Sequence, residues 1–127
     1  MTLSQFFAAA LTRRDIPEDT RTDFSLVVDE FPSFSTTVIA SILSEARKYR
    51  LNVILANQFL GQLPAGVANS VFGNVANLIT FRIGAQDANA VANELKPRVG
   101  PDDLLNLGLR EFYLRMSING EGQDAFS

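Results

Sequence analysis

The stretch from Phe24 to Gln58 holds two short apolar runs, FSLVV and LNVILA, on either side of a stripe with helical period. Val38, Ile39, Ile42, Leu43, Ala46 and Tyr49 recur along one side of that intervening segment, as a helix packed on a core requires. Ser35 or Thr36 is placed to cap its start. Strand-like runs return at about Leu78 to Ile83 and Glu111 to Ile118. Helical segments are expected from about Leu63 to Phe72, weakened by Gly66, and from about Asp87 to Leu95, ending before Pro97. This alternation predicts an α/β fold with a mainly parallel sheet flanked by helices. The continuous aliphatic content of the runs predicts strands covered on both faces.

With 127 residues, 46% of them hydrophobic, one domain over 1–127 is expected, with a core but little room for a second domain. The segment RRDIPEDTRTD, residues 13–23, is the most polar and reads as an exposed connection into the first strand. No run of about 18 uncharged apolar residues is present, so no membrane span is expected, and the opening MTLSQFFAAALTRR is too polar for a secretory signal. A cytoplasmic location follows as the expectation.

The chain has no cysteine and no histidine. Disulfide scaffolds, thiolate nucleophiles, Cys/His zinc sites and a Ser-His-Asp triad are therefore excluded. Any chemistry rests on carboxylates, amides, hydroxyls and cations. The net charge is -3, and Lys and Arg are scattered along the sequence, so no basic stripe for nucleic-acid phosphates can be read from it.

Asp29 and Glu30 follow the run FSLVV directly. In open α/β sheets ligands bind beyond the carboxyl ends of parallel strands. A carboxylate there can hold Mg2+ through water while its neighbour polarises an attacking water, the arrangement of a Walker B element. On this reading Asp29 serves the metal and Glu30 the water. The alternative is a pair that caps the strand and opens a solvated loop. The second run ends in Asn57 and Gln58, and an amide at that edge can sense a terminal phosphate or orient the water. A turn amide bonded to the backbone is the plainer reading of Gln58 alone. Arg47, at the border of the helical stripe, is a candidate to reach a phosphate held by a neighbouring subunit, whereas Lys48 is expected to point away into solvent. An ordinary helix-end arginine, favoured by the helix dipole, is the competing reading.

FSLVVDEF, ILSEARKYRLNVILANQFLGQL, GNVANLITFRIGAQDA and DLLNLGLREFYLRMSINGEGQDAFS together resemble the carboxyl-terminal part of the motor domain of type IV secretion coupling proteins, the TraD/TraG-like conjugative DNA-transfer ATPases of the FtsK/HerA class. The resemblance covers nearly the whole chain. It implies a RecA-like P-loop ATPase core that works as a homo-hexamer at the cytoplasmic face of the inner membrane, hydrolysing ATP with Mg2+. DNA, relaxosome and secretion-channel proteins are its implied partners. By position it gives Asp29 and Glu30 as the Walker B pair, Gln58 as the phosphate-sensing glutamine and Arg47 as the arginine offered to the adjacent subunit. It assigns no role to Arg82, for which a salt bridge at a strand end is expected.

One element of such motors is missing from the sequence. G-x-x-x-x-G-K-S/T supplies backbone amides, a lysine and a hydroxyl to the phosphates and Mg2+. The nearest spacing is GQLPAGVA, Gly61 to Ala68, with Val67 and Ala68 where Lys and Ser/Thr are needed. The chain therefore reads as part of a longer protein whose phosphate-binding loop and membrane helices lie upstream, with Met1 an internal or misassigned start. Two alternatives stand beside the coupling ATPase: a HerA-type DNA translocase, and a non-catalytic remnant or interaction module. The isolated chain is expected to be inactive.

Overall fold

Phe24–Val28 forms strand β1 and Leu51–Leu55 forms β2. The two pair in parallel, from Phe24 opposite Leu51 to Val28 opposite Leu55. In the computed structural model, which describes residues 3–33 and 36–127, they belong to the first of two units, Met1–Asn74 and Val75–Ser127.

Between the strands runs helix α2, Thr36–Glu45, which follows α1, Leu3–Leu11. The expected cap at Ser35 lies outside the described residues, as does the side chain of Thr36. After Glu45 the helix tightens into a 3₁₀ turn, Ala46–Tyr49, and Arg50 adopts a left-handed conformation with φ 51 that redirects the chain into β2. Helix α3, Ala65–Asn74, packs against α2. It begins two residues later than its apolar pattern suggests, because the Pro64 carbonyl accepts the Val67 and Ala68 amides that open it.

The core of this unit follows from strand alternation. Ala10, Ile42, Ala46 and Leu51 are buried together, with Phe6, Phe7, Leu26, Val38 and Val53 packed around them. The Phe6 ring meets Phe24 at 5.3 Å between centroids. The opposite face carries Ser25, Val27, Asn52 and Ile54, and there Val27 is 65% and Ile54 50% exposed. The expectation of strands covered on both faces is thus corrected for this pair. β-branched content reports that a face suits burial, not that this chain supplies the cover.

The second unit contains β3, Leu78–Thr80; α4, Ala85–Leu95; α5, Pro101–Leu105; β4, Tyr113–Arg115; β5, Ser117–Ile118; and β6, Glu121–Gly122. β3 pairs with β4 antiparallel, and β5 with β6 in a hairpin whose turn residues Asn119 and Gly120 both have positive φ, as a two-residue hairpin turn requires. Among the described residues the strands form three two-stranded sheets, and the pairing expected to be mainly parallel is parallel only between β1 and β2. The apolar run from Glu111 to Ile118 is divided between β4 and β5 rather than forming one strand.

Ala88, Val91, Ala92 and Leu95 form the buried side of α4, and Val99, Leu104 and Leu107 are buried after it. α5 was not evident from apolar period. Its start is set by Pro101 at the first helical position and by Asp103, whose Oδ2 accepts the Gly100 N–H at 2.7 Å. Arg115 fastens β4 to α4, donating from Nη1 to the Glu94 carbonyl at 2.7 Å and to its carboxylate at 3.3 Å. Among the described residues, no helix is long and apolar enough to cross a membrane.

Candidate functional site

The two parallel strands end side by side. The Ala56 amide still donates to the Val28 carbonyl at 2.9 Å, and the Phe31 amide donates back to the Ala56 carbonyl at 3.3 Å. Between these two bonds the chain must turn within Asp29 and Glu30. Glu30 makes that turn in the left-handed region, with φ 49, a conformation that costs a residue bearing Cβ about 1–2 kcal/mol. Two contacts hold it there: Phe31 is buried at 3% exposure, and the Glu30 carbonyl accepts the Ser33 amide at 3.0 Å. Backbone strain held by its surroundings is a frequent mark of functional turns.

This turn presents the carboxylates at the carboxyl edge. Asp29 Oδ1 accepts the Glu30 amide at 2.9 Å, which orients a side chain that is itself exposed and leaves Oδ2 outside this bond. Glu30 Oε1 accepts a hydrogen bond from Gln58 Nε2 at 3.2 Å. The structure thus brings Glu30 and Gln58 together from the ends of adjacent strands. Asn57 behaves differently, spending its side chain on a local turn: Nδ2 donates to the Phe59 carbonyl at 2.8 Å and Oδ1 accepts the Phe59 amide at 3.3 Å. The turn-amide role weighed for Gln58 is filled by its neighbour.

Among the described residues there is no group of three or more His, Cys, Asp or Glu placed to hold a metal. The donor set at the strand edge is one exposed carboxylate, Asp29, beside Glu30, and Mg2+ usually takes one or two carboxylates with waters and substrate phosphates. Asp29 Oδ2 could serve through water. The segment Gly61 to Ala68 offers no phosphate cradle. Its Val67 and Ala68 amides are bonded to Pro64, and the Val67 side chain is buried.

Arg47 lies elsewhere in this unit, in the 3₁₀ turn before the amino end of β2, whereas Glu30 and Gln58 lie past the carboxyl ends. It lines an open concave surface of about 610 Å³ together with Arg14, Glu18, Arg21, Ser44, Lys48 and Tyr49. Lys48, exposed as expected, borders this surface beside Arg47. Basic residues scattered in sequence are also gathered: four of the chain's eleven lie on this one surface.

The segment 13–23 is equally more ordered than its polarity suggests. It folds into two 3₁₀ turns, Thr12–Asp15 and Glu18–Thr20. Arg21 secures them: Nε donates to the Ile16 carbonyl at 2.8 Å, Nη2 to the Arg14 carbonyl at 3.3 Å and Nη1 to the Lys48 carbonyl, with its guanidinium 5.8 Å from the centre of the Tyr49 ring. Arg13 adds bonds to the Tyr49 carbonyl at 3.2 Å and to the Thr22 carbonyl. Arg82 is exposed beyond the end of β3, and among the described residues no ion pair includes it, so the salt bridge expected for it is not made.

No protein-family model matches the chain, and no curated protein matches it in sequence. Among solved structures it is similar to the bacterial conjugative coupling protein TrwBdeltaN70 in its unbound monoclinic form, with a TM-score of 0.72 at 17% identity over 93% of this chain. The match spans 34% of the length of that protein. The chain therefore shares the fold of part of a conjugative coupling protein.

Proposed function

We propose that this chain is the carboxyl-terminal part of the motor domain of a coupling ATPase of conjugative type IV secretion, a single RecA-like domain when completed. The observation that carries the reading is the Glu30 to Gln58 hydrogen bond at the shared carboxyl edge of two parallel strands, in a chain with the fold of part of a coupling protein.

In this reading Glu30 polarises the attacking water and Gln58 orients it against the terminal phosphate. The strained turn keeps the Glu30 carboxylate at the strand edge, and Gln58 fixes its direction, so little reorganisation is needed when substrate arrives. Asp29 would hold Mg2+ through water, and Mg2+ supplies charge neutralisation at the phosphates when bound. Arg47, away from that edge, serves the nucleotide of an adjacent subunit in a homo-hexamer. DNA, relaxosome and secretion-channel proteins are the partners this reading implies, with the complete protein anchored at the inner membrane. A HerA-type translocase would use the same residues.

A second reading, a non-catalytic interaction module, is favoured for the isolated chain by one observation. The amides at the only approximate phosphate-loop spacing are bonded to Pro64. Titration calorimetry of the 127-residue chain with Mg2+ and ATP tests the reading. Binding at the Glu30 edge, read as the part lost in Gln58→Ala, is expected in the millimolar range or weaker, with no hydrolysis. Micromolar binding at the Glu30 edge, lost in Gln58→Ala, would overturn the assignment of nucleotide affinity to a segment outside this chain.

A further inference from the structure

The concave surface in the first unit is built from three segments distant in sequence. Arg14 comes from the first 3₁₀ turn, Glu18 and Arg21 from around the second, and Arg47, Lys48 and Tyr49 from the turn that ends α2. Arg21 is its brace. Its guanidinium reaches carbonyls on both walls, those of Arg14 and Lys48, and lies near the Tyr49 ring, while Tyr49 itself is 8% exposed. The walls are thus fixed before any ligand arrives.

The side chains of Arg14, Arg47 and Lys48 make no hydrogen bond or ion pair among the described residues, and Glu18 is the one carboxylate on the surface. Three cations facing a single carboxylate leave the braced surface with an excess of positive charge, which favours an anion. Two guanidiniums and an ammonium suit phosphate oxygens, the guanidiniums by paired donors and the ammonium as a point charge.

We infer that this surface is a binding site for a short chain of phosphates, of the kind a nucleoside triphosphate carries, held by Arg14, Arg47 and Lys48 with Arg21 as the brace. A nucleic-acid strand needs a longer basic track, and the net charge of -3 does not favour one. The inference rests on the proposed role of Arg47 and deepens it by adding Arg14 and Lys48, residues given no part in that reading.

The test is calorimetric titration of the 127-residue chain with inorganic tripolyphosphate at low and moderate salt. Saturable one-to-one binding is expected, weakened about tenfold by Arg14→Ala and by Lys48→Ala, as for loss of one charge-assisted contact. Lys96→Ala, in the second unit, should leave it unchanged. Glu18→Gln should tighten it several-fold, a gain that damaged folding cannot imitate. Absence of saturable binding, or binding indifferent to Arg14→Ala and Lys48→Ala, would overturn the inference. So would a single-stranded oligonucleotide that binds through these residues where tripolyphosphate does not. A cross-subunit effect of Arg47 in an assembled motor, without tripolyphosphate binding here, would leave the motor reading standing and remove this one.

Discussion

Val27 and Val28 are adjacent, identical in side chain and members of one strand, yet they are 65% and 5% exposed. Replacing each in turn by alanine removes the same two methyl groups and the same β-strand preference, so the difference between the two variants isolates burial. Full burial of a methylene-sized group is worth about 0.8 kcal/mol, and partial relaxation around the vacated space adds to the loss at a packed site. Val27→Ala should therefore cost about 0.5 kcal/mol and Val28→Ala about 1.5–2.5 kcal/mol. Urea unfolding followed by circular dichroism measures both, provided that the slope with denaturant is unchanged. Equal losses would refute the one-sided packing of β1 and β2, because they would mean that Val27 is covered in solution.

Leu104 is 0% exposed, so Leu104→Ala should destabilise the second unit by about 2–5 kcal/mol; a loss under about 1 kcal/mol in the same unfolding assay would contradict its place at the centre of that unit's core. In a complete motor containing this segment, mixing Arg47→Ala subunits with unaltered ones should depress ATP turnover more than dilution accounts for. A loss proportional to the mutant fraction would mean that Arg47 does not act across an interface.

The first unit was legible where local pattern decides. The aliphatic runs and the helical stripe of Val38, Ile39, Ile42 and Ala46 located β1, α2 and β2 closely, since each is specified within a few residues. The polar endings of both runs located the edge where Glu30 and Gln58 meet. The left-handed turn at Glu30 carried no such signal, because no glycine or asparagine marks it. The pairing of β3 with β4 was not legible either: three-residue strands are set by partners far away in sequence, here Ile79 opposite Leu114. α1 was missed although Phe6, Phe7 and Ala10 recur at helical spacing on its packed side.

The basic surface was the largest omission. Arg14 and Arg21 lie in a segment whose polarity suggested only an exposed connection, and their meeting with Arg47 and Lys48 depends on main-chain carbonyls that no composition count records.

Whether Glu30 acts on the reacting water is decided by Glu30→Gln in a complete motor carrying this segment. The amide oxygen of glutamine can still accept the Gln58 hydrogen bond, so the turn and the folded state are retained while the carboxylate is lost. ATP binding should stay within about twofold, and turnover should fall by at least about a hundredfold, the pattern of a group that acts mainly in the transition state. Weakened ATP binding with turnover intact would contradict the account.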